Sequence, residues 1–244
     1  VPWGLVVDDG VVVVGGQLGI DPASAWAARL DSEGNLDPGF GDDGIVTLLT
    51  DEEGVSDLVL ASDVHATDTG YLAVVVMRDV AGDSVDVVTF DETGVDDVIR
   101  LAAADEIFAL ASTRTADGGV MVALQVPQGD TDDFHLYEFA SDGTLDPGFG
   151  NPGLSDDEVG GPVRLAGLRT GEVAVAYNTG PDAAFVVRLV GSSGTDEGTL
   201  DVDVEAWMYG MTALSHDGSL VFAIDETPTN SIEPDDLTLV KVAG

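Results

Sequence analysis

The hexapeptide LDPGFG occurs twice in this chain, at residues 36–41 and 145–150, within longer stretches that also match: RLDSEGNLDPGFGDDGIV and EFASDGTLDPGFGNPGLS. A stretch that returns after 109 residues is either a duplicated active site or the corner of a structural repeat. The two differ in what surrounds them, because a repeat carries its strand pattern along with its corner.

That pattern is present. Short apolar runs follow turn glycines at Gly10 (VVVVGG), Gly70 (YLAVVV), Gly119 (VMVALQ), Gly171 (EVAVAY) and Gly218 (SLVFAI), spaced 60, 49, 52 and 47 residues apart. The glycines sit in polar turns such as DDG, TDTG and SHDG, which suit tight connections between strands. A second run follows each: AWAARL, VDVVTF, FHLYEF, AFVVRL and LTLVKV. Stacked, these give apolar columns at Ala27, Val87, Leu136, Val186 and Leu239 and at Ala28, Val88, Tyr137, Val187 and Val240. Apolar residues at adjacent strand positions require cover on both faces. One column is polar, with Arg29, Thr89, Glu138, Arg188 and Lys241, and is expected to reach the rim. Another apolar run precedes each turn, and a fourth element follows in all but the last unit, clear as GIVTLL and weaker as DDVIRL, PGLS and TLDVDV.

Each unit therefore reads as four strands in about 50 residues, with no sustained helical period. The expected fold is all-β: a single β-propeller domain over 1–244 with almost no helix and five four-stranded repeats near 1–50, 51–104, 105–159, 160–206 and 207–244. The fifth repeat stops short of a fourth strand, so either the last blade has three strands or the chain is a fragment of a larger propeller.

In this frame LDPGFG is a structural corner between the third and fourth strands. Asp37, Pro38 and Gly39, like Asp146, Pro147 and Gly148, have turn chemistry. Leu36 with Phe40, and Leu145 with Phe149, are expected to tuck the loop onto the blade edge, with Gly41 and Gly150 closing it. The succession of strand, D-G turn, L-D-x-x-F-G-x-x-G and strand resembles the bacterial delta-60 repeat, a unit associated with β-propeller-like domains. The signature holds in two of the five units; the second and fourth carry DETGVDDVIRL and GSSGTDEGTLDVDV instead. The resemblance implies an extracellular or cell-surface repeat domain and brings no catalytic residues.

Charge narrows the partners. The chain has 46 acidic residues against 8 basic ones, a formal charge of −38, and Lys241 is its single lysine. Three readings compete: a halophilic surface whose self-repulsion is screened by salt, calcium binding, and an ordinary acidic domain with Asp in its turns. The scarcity of lysine favours the first, since a calcium protein has no reason to lose cations everywhere. So few Lys and Arg argue against nucleic acid and against anionic membrane surfaces. No apolar run is long enough for a membrane-spanning helix, so no membrane insertion is expected. The lack of cysteine removes disulfides and thiolate chemistry. Val1 in place of Met points to a processed or excised chain.

Candidate chemistry is thin. With 46 carboxylates, close pairs arise by chance, and a glycosidase pair at a central channel would draw on Asp57, Asp105, Glu106 or Glu205. His65, His135 and His216 lie in different units and are read as turn or core residues; Ser215, His216 and Asp217 are adjacent and cannot form a triad. GGQLG at residues 15–19 lacks the Lys-Ser/Thr of a phosphate loop and reads as a strand end or bulge. Asp31, Glu33, Asn35 and Asp37 alternate as weak calcium candidates, but the second corner has Ala140 where Asp31 stands, and no cofactor is expected. The expectation is a non-enzymatic binding or scaffold module at or outside the cell surface. Its ligand would be a protein or glycan, or neighbouring domains or subunits of a surface assembly. The alternatives are a carbohydrate-active enzyme and a repeat unit of a larger fibre or adhesin.

Overall fold

The structure, a computed structural model, describes residues 2–7, 11–18, 23–51, 56–79, 82–104, 107, 109–128, 131–149, 163–179, 184–200, 207–213, 219–225 and 237–242. Among these there is no helix. Eighteen strands follow one another: β1 (Pro2–Val7), β2 (Val11–Leu18), β3 (Ser24–Leu30), β4 (Ile45–Thr50), β5 (Ser56–Ala66), β6 (Tyr71–Asp79), β7 (Gly82–Asp91), β8 (Gly94–Ala104), β9 (Ala109–Arg114), β10 (Val120–Gln128), β11 (Thr131–Phe139), β12 (Arg164–Gly167), β13 (Val173–Thr179), β14 (Ala184–Val190), β15 (Asp196–Leu200), β16 (Trp207–Ala213), β17 (Leu220–Asp225) and β18 (Leu237–Val242). They form two compact units, one of Val1–Glu106 with Ser141–Gly143 and one of Ile107–Ala140 with Thr144–Gly244.

Among the described residues all strand pairings are antiparallel, and all but one join sequence neighbours. Strands β1–β4 and β5–β8 each pair in sequence, as do β12–β15, while β9–β11 and β16–β18 form three-stranded sheets among the described residues. The fourth element expected at PGLS lies outside the described residues. The exception is β2 with β5, where Gly16 faces Leu60 and Leu18 faces Leu58, fusing the first two strand sets into one eight-stranded sheet. A Cβ on Gly16 would stand 2.1 Å from the Val59 carbonyl oxygen, so only glycine admits this approach. GGQLG is thus the end of β2 where another backbone closes in; Gly19 lies outside the described residues.

Both faces of the inner strands are covered, as adjacent apolar positions require. Consecutive residues are buried at 71–75 in β6, 83–88 in β7, 120–125 in β10 and 173–177 in β13. The register departs from the stacked columns in the fourth unit. Val190 pairs with Val173 as Phe90 pairs with Tyr71 and Phe139 with Val120. Val187 and Arg188 therefore occupy the positions of Val87 and Val88, one residue later than glycine counting gives. With cover on both faces the slip is tolerated: Val187 is buried and Arg188 bonds the Tyr177 hydroxyl and Asp196. Nor is the polar column a uniform rim, because Glu138 is only 6% exposed.

Buried charge also occurs in β7, where Asp86 is 1% exposed and receives both Nε and Nη2 of Arg100 at 2.8 and 3.0 Å. The bidentate geometry supplies the charge-assisted bonds that a buried carboxylate needs.

Candidate functional site

The two LDPGFG corners are built alike from the backbone up. Asp37 N donates to Arg29 O and Asp146 N to Glu138 O, at 2.9 and 2.8 Å. Leu36 bridges Leu30, and Leu145 bridges Phe139. The Asp37 Oδ1 accepts the Gly39 N–H at 2.9 Å, and the Asp146 Oδ1 accepts that of Gly148 at 2.7 Å. These are the side-chain-to-backbone bonds for which Asp is favoured in turns.

In the first corner Phe40 is fully buried among Tyr71 and Phe90, its ring centroid 6.2 and 6.4 Å from theirs in edge-to-face contact. Gly41 N donates to Glu92 O at 2.8 Å. The corner therefore fastens one strand set to the next through a ring and a backbone bond. Leu36, expected to tuck in with Phe40, stands 45% exposed. In the second corner Phe149 is half-buried against a cluster that includes Val173 and Val190, the residues equivalent to Tyr71 and Phe90. Leu145 is half-buried.

The side chains then diverge. Arg29 Nε donates to Asp37 Oδ2 at 2.8 Å, and its guanidinium carbon lies 4.9 Å from the centre of the Phe40 ring. The Gly39 N–H, and after it the Arg29 guanidinium, hold the Asp37 carboxyl below its ordinary value. At the position of Arg29 the second corner has Glu138. This carboxyl is buried, and its Oε2 has no hydrogen-bond partner among the described residues. Burial first, then the charges of Asp117 and Asp146, push it up from 4.5 to about 7. Asp117 moves the other way: the Thr115 hydroxyl, and then the Gly119 N–H, keep it ionised below its usual range. Glu138 lines a cavity of about 280 Å³ together with His135, Tyr137, Leu145, Asp146 and Phe149, among others. This is the candidate site.

The other sequence candidates do not converge. Asp31 Oδ1 accepts the N–H groups of Glu33 and Asn35 at 2.9 Å, so this carboxylate shapes the turn at the first corner. Asp37 serves Gly39 and Arg29, and Glu33 and Asn35 are exposed. No group of three metal-ligating side chains comes together among the described residues. Asp57 lies on β5 with its side chain outside the described set, and Asp105, Glu106, Glu205, Ser215, His216 and Asp217 lie outside the described residues. His65 stands 3.5 Å from Asp63, while half-buried His135 lines the cavity. Glu138 itself was grouped with rim residues. What marks it in the sequence is the charge reversal against Arg29 beside a hexapeptide that is identical in both corners.

Solved structures carry the fold. The chain is similar to the Dos1 propeller over 91% of its length, with 11% identity and a TM-score of 0.56, and spans about half of that chain (53%). It is also similar to a protein of unknown function from Dyadobacter fermentans DSM 18053, with 10% identity and a TM-score of 0.56, over 91% of this chain and 74% of that one. The fold is all-β and is that of a β-propeller. No family model matches the chain, and no curated protein matches it. The expectation that the chain is not an enzyme is corrected here. Similar solved structures include enzymes, among them an α-L-arabinofuranosidase from Lactobacillus brevis (10% identity, TM-score 0.45, 99% of this chain and 89% of that one). A fold does not fix an activity, so this architecture gives no ground for excluding one.

Proposed function

We propose that the chain is a ligand-binding or scaffold module of delta-60-like propeller repeats, working at or outside the cell surface and carrying a halophile-type acidic exterior. One observation carries the binding reading: a cavity beside the second corner contains a buried carboxyl where the first corner contains its own cation. Buried polar groups are normally partnered, and one without a partner in a residue lining a cavity calls for a ligand that supplies it. The volume of 280 Å³ falls at or below the roughly 300–1,000 Å³ of sites for drug-sized molecules, which suits a single side chain or small headgroup. The acidic exterior rests on 46 carboxylates against 8 cations.

Thermal unfolding in a KCl series, with calcium or chelator at matched ionic strength, tests that exterior. The melting temperature is expected to climb with bulk salt and to ignore millimolar calcium. Stabilisation by calcium at constant ionic strength would reveal specific binding by linkage and defeat the salt reading.

A second reading, a carbohydrate-active hydrolase, is favoured by the opposed behaviour of neighbouring carboxyls. Glu138 near 7 is suited to donate a proton and Asp117, held ionised, to act as the carboxylate. Turnover of aryl glycosides by the native chain, abolished by Glu138→Gln, would establish it.

A further inference from the structure

We infer that the cavity beside the second corner receives the guanidinium of an arginine side chain presented by a partner chain. The inference deepens the binding reading above and rests on it.

The first corner supplies the template. There an arginine bonds the corner aspartate through Nε and lays its guanidinium carbon 4.9 Å from the corner phenylalanine ring. The second corner repeats the aspartate (Asp146), the phenylalanine (Phe149) and the backbone bonds that set them. The internal cation, however, is replaced by Glu138. The acceptor and aromatic components of a guanidinium site are therefore kept, and a second carboxylate is added with an unpartnered Oε2. Guanidinium fits such a place better than ammonium. Its planar fork can bond two carboxylates at once, it stacks on an aromatic face, and it sheds water more easily. The charged groups acting on Glu138 are Asp117 from the β9–β10 turn and Asp146 from the corner, while His135 and Tyr137 of its own strand also line the cavity. None of the carboxylates supplies a donor once ionised, so an entering cation provides what the site lacks. Because Glu138 holds its proton near neutrality, an entering guanidinium displaces that proton, and affinity rises as pH passes through about 7. Charge favours a cationic side chain over a sugar, because a neutral sugar leaves the carboxyls around the cavity without a counter-charge.

The test is calorimetric titration of the full chain with acetyl-Gly-Arg-Gly-amide, with the lysine peptide, free arginine and calcium chloride as parallel probes. Molar KCl shortens the Debye length to about 3 Å and removes unspecific attraction to so acidic a surface. Saturable one-to-one binding of the arginine peptide is expected, about tenfold tighter than the lysine peptide. Glu138→Gln should weaken it at least about tenfold at pH 8, where the native carboxyl is ionised. Glu138→Arg recreates the ion pair of the first corner and should abolish binding while keeping the native circular dichroism and a cooperative melt. Arginine-peptide binding unchanged in both variants overturns the inference, as does its absence from the native chain. Free arginine binding as tightly as the peptide overturns the partner-chain source. Lysine-peptide or calcium binding that is lost in Glu138→Gln, without arginine-peptide binding, overturns the guanidinium assignment and leaves the binding module standing. Glycoside turnover lost in Glu138→Gln, with no cation bound, overturns both.

Discussion

Replacing Glu138 with glutamine should stabilise the protein, and only above a definable pH. The folded chain holds the Glu138 proton up to about 7, whereas the ordinary value is 4.5. Between those values the folded state binds more protons than the unfolded one, so this group's contribution to stability is greatest below pH 4.5 and is lost as pH rises through about 7. At about 1.4 kcal/mol per pH unit the loss amounts to roughly 3 kcal/mol. Glutamine keeps the shape, cannot ionise, and adds an amide donor among acceptor carboxylates. The two proteins should melt together near pH 4.5 and diverge to pH 8, with Glu138→Gln higher by on the order of 6–12 °C. Differential scanning calorimetry of both forms at constant molar KCl is the assay, because carboxylates that do not interact with Glu138 cancel in the difference. A melting difference independent of pH would refute the reasoning, for it would mean that Glu138 ionises like a hydrated carboxylate.

Two further expectations concern the first corner. Phe40→Ala removes a ring that is fully buried between Tyr71 and Phe90 and should cost about 3–5 kcal/mol by urea unfolding, while Phe149→Ala, at a half-buried ring, should cost less. Gly41 has φ +57° and a Cβ there would meet the Ile45 carbonyl oxygen at 2.2 Å, so Gly41→Ala should destabilise by more than about 2 kcal/mol. Gly34, at φ +85° with open space around it, should lose only about 1 kcal/mol on the same change; equal losses would mean that backbone conformation and not the close approach sets the requirement for glycine at Gly41.

Much of the strand order was legible because it rests on short-range chemistry. A turn glycine and an apolar run declare a strand locally, and the corner peptide declares its own turn through Asp-to-backbone bonds. What could not be read depends on distant backbone. Gly16 gives no sign that β5 closes on it, since a glycine late in a strand looks the same whether it bulges, ends or is approached. The extra residue between Gly171 and Val173 shifts the fourth unit by one, and composition conceals it because Val186, Val187 and Val190 are all valine. Leu36 and Leu145 are the same residue in the same hexapeptide with the same bridge, yet Leu36 is exposed and Leu145 half-buried, a difference the hexapeptide cannot announce. Glu138 looked like a rim residue because a strand column reports side-chain alternation, not how deeply the neighbouring loop covers it.

The two corners together explain why a structural motif can become a site without losing its structure. Three backbone bonds and one aspartate-to-glycine bond recur in both copies of the corner. The position of Arg29 and Glu138 contributes its carbonyl to that framework whatever side chain it bears. Its side chain is therefore free to change at little cost to the turn. In the first copy Arg29 uses that freedom to neutralise Asp37 and cover Phe40, which leaves the corner internally satisfied. The second copy leaves carboxyls gathered at a cavity with their counter-charge still to come, so the Arg29-to-Glu138 exchange turns an internal fastening into a surface that asks for a cation.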